Sequence, residues 1–214
     1  MKRIGVDSST IIVLSSLSSG FALALQSYAA LSRISGEEML GVIVAWGMTR
    51  ELGPVLTAIM VTGRSGSAIA AELSTMKITE QIDALRTLCI NPFQYLIIPR
   101  VLAGAFIMPF LTMFGMFFGI MGGYFFSLAN LTRNPEIYLS NIKMYLMLGD
   151  IVGGLIKSSF FGFILAFVGC YKGYSAQGGA QGVGRATTST VVIGCILILI
   201  SNYVLSVLLF KVGL

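Results

Sequence analysis

The sequence predicts an all-α integral membrane protein with about five transmembrane helices, a short amphipathic helix between spans 2 and 3, and a short outer-side helix between spans 3 and 4. Two observations predict it. Only 11% of the residues are charged and 56% are hydrophobic, with a mean hydropathy of +0.88, whereas a soluble domain carries about 25% charge. The charges are also spaced apart. Residues 8–32, 101–132 and 186–210 are uncharged runs of 25, 32 and 25 residues, and about 20 apolar residues suffice to cross a bilayer.

The elements follow in order. Residues 9–32 form the first span, a retained helix, because no small-residue cleavage site leads into a polar mature domain. The second span, 38–62, is apolar but carries Arg50 and Glu51, and Pro54 predicts a break or kink beside them. The third, 95–128, is long for one crossing, so it must tilt, project from the bilayer or bend at Pro109. The fourth, 148–171, holds Asp150 and Lys157, and the fifth runs from 186 to 210. Residues 172–185 are rich in Gly, Ser and Gln and read as a flexible loop, with Arg185 and Thr187 opening the last helix. The stretch 179–185 is a near miss to a phosphate loop, with Arg185 and Ala186 in place of Lys and Ser/Thr. ATP binding is therefore expected in a partner, with no cofactor and no metal held by this chain.

Charge orients the bundle. Lys2, Arg3, Arg64, Lys77, Arg86, Arg100, Lys172 and Arg185 fall on one side, against Arg33, Arg133, Lys143 and Lys211 on the other. Eight against four places the N-terminus in the cytoplasm and the C-terminus outside. The net charge of +5 reads as topology, not as affinity for nucleic acid. The absence of histidine excludes a Ser-His-Asp triad and a His-based zinc site. Cys89, Cys170 and Cys195 are widely spaced and read as small packing residues. Small residues recur every fourth position at Ser16/Gly20/Ala24, Gly115/Gly119/Gly123 and Ser158/Gly162/Ala166. Such stripes let helices approach closely in lipid, within one chain or between subunits.

The stretch from Arg64 to Pro92 is the most polar. Ile78, Ile82, Leu85 and Leu88 share one helical face over about 77–88, while Lys77, Glu80, Asp83 and Arg86 lie elsewhere, and Asn91-Pro92 stops the helix. A connecting helix and a helix lying flat in the headgroups are two readings. The flat helix would favour a basic polar face, and these charges are balanced. The third reading is a helix that docks in a groove on a soluble partner.

Arg50-Glu-Leu-Gly-Pro54, Gly63-Arg-Ser-Gly-Ser-Ala with Ala-Glu72, Thr79-Glu-Gln-Ile-Asp-Ala-Leu, Asn91-Pro92 and Gly182-Val-Gly-Arg185-Ala-Thr-Thr-Ser together resemble the MlaE family of ABC-transporter permeases. The resemblance covers nearly the whole chain and makes 1–214 a single permease domain. It implies a homodimeric inner-membrane permease for phospholipids, paired with a cytoplasmic ABC ATPase and a periplasmic MCE-domain protein, sometimes with a STAS-domain regulator. The 77–88 helix becomes the coupling helix, with Glu80, Asp83 and Arg86 making polar contacts to the ATPase and Ile82 and Leu85 filling its groove. Family members commonly carry a further N-terminal amphipathic segment, and here Met1 to Asp7 precede the first span. Cys89 stands where the family often has glycine, and Asn202 where it often has aspartate.

Ionised residues inside a span are costly and usually face a cavity or a partner. Arg50 and Glu51 are about 100° apart on a helix, so each is expected to meet a different partner. They either line a lipid cavity or form structural ion pairs with residues such as Asp150 or Lys157. Leu25, Gln26 and Tyr28, near the outer end of span 1, either sit at the interface region or, as the resemblance implies, face a lipid cavity between subunits. Rival classes are an importer permease for a small solute, a membrane enzyme acting on lipids, and a secondary transporter. The first expects a different coupling-loop motif, the second clustered acidic or His groups, and the third internal repeats.

Overall fold

A computed structural model of the chain describes the backbone of residues 2–34, 36–130 and 135–212, and the side chains of 8–33, 36–129 and 136–211. Arg133, counted in the charge tally, lies outside the described residues, as do the side chains of Lys2 and Arg3. The helices are α1 (Lys2–Leu31), α2 (Leu40–Trp46), α3 (Gly53–Val61), α4 (Ser67–Ile78), α5 (Gln81–Thr87), α6 (Ile98–Asn130), α7 (Pro135–Tyr145), α8 (Leu148–Tyr174) and α9 (Gly179–Val212). Five helical stretches are long and apolar enough to cross a membrane: Ser8–Leu31, Glu37–Ile78, Phe93–Ala129, Leu148–Tyr174 and Gly179–Lys211. The described residues contain no strand, and the all-α membrane architecture read from the sequence stands. With five crossings, α5 and α7 lie at opposite ends of the bundle.

The second span is one helical path interrupted twice. Widened π-helical turns at Gly47–Leu52 and Thr62–Gly66 separate α2, α3 and α4. Pro54 sits in the first turn of α3, where a missing N–H is tolerated, and the chain widens just before it. Pro109, by contrast, leaves α6 unbroken over its 33 residues. At about 1.5 Å per residue α6 exceeds a hydrocarbon core of about 30 Å, so tilt or projection accommodates it.

Close helix contacts explain the small-residue stripes. A Cβ on Gly20 of α1 would run into the Gly119 carbonyl of α6, and one on Gly104 of α6 would lie 2.7 Å from the Gly162 carbonyl of α8. At Gly115 it would meet the Thr57 hydroxyl at 2.6 Å. Gly20, Gly104, Gly115, Gly119 and Gly162 are thus used inside the chain, where backbone proximity substitutes for a hydrophobic drive that lipid does not supply. Two apolar clusters result. One, toward α5, gathers Ile69, Leu73, Ile82, Leu96, Phe161 and Leu165. The other, toward α7, gathers Leu40, Val44, Met48, Phe126 and Tyr138.

Two expected boundaries move. The helix read as 77–88 is broken: α4 ends at Ile78, Glu80 takes a left-handed φ of 59°, and a seven-residue α5 begins at Gln81. The turn detaches Ile78 from the face it was expected to share and carries Ile82 into the core at 0% exposure. The last helix begins at Gly179, not at 186. Gly178 and Gly179 make the turn with φ of 91° and 66°, and Gly182 packs on the Gln177 carbonyl. The glycines taken for a flexible loop therefore form one tight turn and the first turn of α9.

Candidate functional site

Four charged residues inside the spans, Arg50, Glu51, Asp150 and Lys157, converge in the half of the bundle near α7. The π turn Gly47–Leu52 brings Arg50 and Glu51 out of register with a regular helix. Gly154 of α8 lies against it so closely that a Cβ would strike the Thr49 carbonyl. This approach seats Asp150 and Lys157, both on α8, beside the turn. Arg50 donates from Nε to Asp150 Oδ1 at 2.7 Å and also pairs through Nη2. Lys157 spends its three protons on the Arg50 carbonyl at 2.8 Å, Glu51 Oε1 at 2.9 Å and Ser206 Oγ at 2.7 Å. Asn202 donates from Nδ2 to Glu51 Oε2 at 2.7 Å. Asp150 also accepts from the Met147 N–H at 3.1 Å, closing the first turn of α8.

Arg50, Glu51, Asp150, Lys157 and Ser206 line a cleft of about 480 Å³ between the π turn, α8 and α9. Its charged lining is Arg50, Lys157 and Lys211 against Glu51 and Asp150, a surplus of one positive charge. Tyr203, Val207 and Phe210 of α9 supply the apolar wall. Lys157 is sealed in, with its side chain 4% exposed, whereas those of Arg50 and Glu51 are 49% and 45% exposed. Arg50 also lies 5.8 Å over the ring of Trp46. Adjacent Arg50 and Glu51 do meet different partners. The ion pairs expected with Asp150 and Lys157 are made, and the paired groups also line the cleft. Asn202 and Ser206, four residues apart on one face of α9, complete the network. Their signal in the sequence was two polar side chains on one face of an otherwise apolar run.

Leu25, Gln26 and Tyr28 are not part of this cleft. Leu25 and Gln26 are exposed on α1, and Tyr28 packs edge-on against Phe126 at 5.9 Å. The structure packs Tyr28 on α6 and places none of the three with Arg50 and Glu51.

At the other end, α5 carries a second polar network. Asp83 accepts from Lys77 at 3.1 Å and from Arg86 at 3.2 Å. Arg86 reaches the Tyr174 hydroxyl at the end of α8, and Phe93 packs on the Tyr174 ring at 6.0 Å. Glu80 and Leu88 are exposed, Leu88 at 69%. Ile82 is turned into the chain's own core and Leu85 packs partly against it. A buried side chain cannot fill a partner's groove, which corrects that expectation for Ile82 and weakens it for Leu85. Nearby, Glu72 and Arg100 pair at 3.2 Å.

Comparison with known proteins supplies the remaining evidence. Residues 1–208 match the family described as Permease MlaE. A probable ABC transporter permease protein of Rickettsia typhi is 49% identical over 209 residues, 98% of this chain and 81% of that protein. The intermembrane phospholipid transport system permease protein MlaE of Haemophilus influenzae is 36% identical over 214 residues, 100% of this chain and 82% of that one. The chloroplastic protein TRIGALACTOSYLDIACYLGLYCEROL 1 of Arabidopsis thaliana is 38% identical over 211 residues, 99% of this chain and 60% of that one. A multi-pass helical bundle, a charged cleft within it and these likenesses lead to one assignment: the chain belongs to the MlaE family of ABC-transporter permeases.

Proposed function

We propose that the chain is the permease subunit of an inner-membrane ABC transporter that moves phospholipids to or from a periplasmic MCE-type carrier, driven by a separate cytoplasmic ATPase. The observation that carries the reading is the cleft joined to the family membership. A surplus positive charge set against an apolar wall suits a molecule with an anionic head and acyl tails. The phosphate would lie toward Arg50 and Lys211, and the chains along Tyr203, Val207 and Phe210. The α9 face carrying Ile196, Ile200, Tyr203 and Val207 is exposed in a single chain, and a second copy covering it would make a homodimer with a shared cavity. Leu25, Gln26 and Tyr28 would then meet lipid in the dimer.

The exposed side of α5 is the proposed contact for the ATPase, with Glu80, Asp83 and Arg86 as polar partners and Leu88, in place of Ile82, as the apolar one. ATP would be bound by that partner. The chain performs no bond chemistry in this reading, and α5 faces the cytoplasm with the N-terminus while the C-terminus faces the periplasm. Native mass spectrometry of the purified complex tests it. Bound phospholipid together with an ATPase dimer and two permease copies is expected; a complex with neither lipid nor ATPase contradicts it. An importer permease for a small solute would instead appear lipid-free and ATPase-bound.

A further inference from the structure

We infer that α8 is the strut connecting the α5 end of the molecule to the charged cleft, and that Tyr174 is the positioning residue through which α5 acts on it. The inference rests on reading α5 as the ATPase contact, and extends it to how a displacement there reaches the cleft. The second span joins the same two places by covalent chain, but π turns at 62–66 and 47–52 interrupt it between α4 and Arg50. The left-handed Glu80 separates it further from α5. The third span enters from α5 through another π turn, at Phe93–Ile97.

α8 runs unbroken from one place to the other, as α9 also does from Gly179 to the cleft wall, and it is α8 whose end residue Tyr174 is bonded to α5 through Arg86. From Tyr174 to Asp150 it covers about 36 Å at 1.5 Å per residue. Its α5 end is held closely. A Cβ on Gly173 would lie 2.8 Å from Leu73 Cβ and 2.9 Å from the Ala70 carbonyl, and one on Gly169 3.0 Å from the Gly66 carbonyl, so α4 and α8 are locked backbone to backbone. Arg86 then ties α5 to the same point through the Tyr174 hydroxyl. Its other end holds Asp150 and Lys157, the partners of Arg50 and Glu51. A contiguous packed element whose arrangement both sites bias carries coupling between them, and coupling between two binding sites is reciprocal.

The molecule carries a reporter at each end. Trp46, its one tryptophan, lies 5.8 Å from the Arg50 guanidinium, and exposed Cys89 follows α5. In the full chain in lipid nanodiscs, Tyr174→Ala should change the emission of Trp46, and Asp150→Asn should change the maleimide labelling rate of Cys89 at least twofold, read by peptide mass spectrometry. Tyr174→Phe, which keeps the ring on Phe93 and removes the hydroxyl, should give a smaller change of the same sign. Phe163→Pro, at an exposed position in the middle of α8, removes the N–H bond to the preceding turn and kinks the helix, and should abolish the cross-talk while each local effect persists. Substitutions that move only the reporter at their own end overturn the strut, as does cross-talk that survives Phe163→Pro. Retention of the ATPase by the unmodified chain is measured separately, so loss of the ATPase reading and loss of the strut are told apart.

Discussion

The cleft network and the α5 network use the same side-chain chemistry and differ in what holds their members together. In the cleft, Arg50 pairs with Asp150 and Glu51 with Lys157, partners about a hundred residues apart in the chain, brought together only by the packing of α8 on the π turn. Asp150 and Lys157 are buried, their side chains 3% and 4% exposed, so a broken pair there leaves an ion that water cannot readily serve. Around α5, Asp83 meets Lys77 and Arg86 within a few residues, and all three side chains are 30–54% exposed. Water can replace any of those contacts, so they contribute little to stability. The first network holds the fold and shapes a cavity, while the second leaves polar groups available to a partner.

Substitutions rank by this contrast. Lys157→Met should have the largest effect, about 2–3 kcal/mol of lost stability, because it removes three charge-assisted hydrogen bonds at once, leaving the Arg50 carbonyl unpaired and Glu51 held only by Asn202 and Ser206. The added change Glu51→Met should recover most of it, as thermal unfolding in nanodiscs would show. Asp150→Asn should cost less, about 1–2 kcal/mol, since Arg50 is half-exposed and keeps the face of Trp46. Cys89→Gly should raise stability by about 1 kcal/mol, because Cys89 holds a left-handed φ of 59° that glycine adopts without the Cβ penalty. Asp83→Ala should change stability by less than about 1 kcal/mol and yet reduce retention of the ATPase on an affinity column. If Asp83→Ala proved as destabilising as Lys157→Met, the contrast between the two networks would collapse.

Much of this was legible in the residues. Three of the five spans follow from uncharged runs and the other two from apolar runs that carry Arg50 and Glu51 in one and Asp150 and Lys157 in the other. The divergence of Arg50 and Glu51 follows from the angle between helical neighbours. Which of them takes Asp150 and which Lys157 depends on the π turn and on Gly154 admitting its carbonyls, which no periodicity announces. The break at Glu80 was hidden for a similar reason, since the left-handed turn accompanies the tertiary docking of Ile82. The early start of α9 was masked by glycines that look like a loop and act as a turn followed by close packing. Cys89 reads as a small packing residue, yet it is exposed and holds a left-handed φ of 59°, a conformation that its residue type does not announce.

The central claim, that α5 delivers the work of a motor to a lipid-moving bundle, is tested most directly in proteoliposomes holding the chain and its ATPase. The account predicts ATP-dependent movement of a labelled phospholipid, lost with Glu80→Lys/Leu88→Asp while the permease stays folded and its cleft intact. Lipid movement undiminished by that double substitution, or an ATPase that binds and hydrolyses while no lipid moves in the unmodified complex, would contradict it.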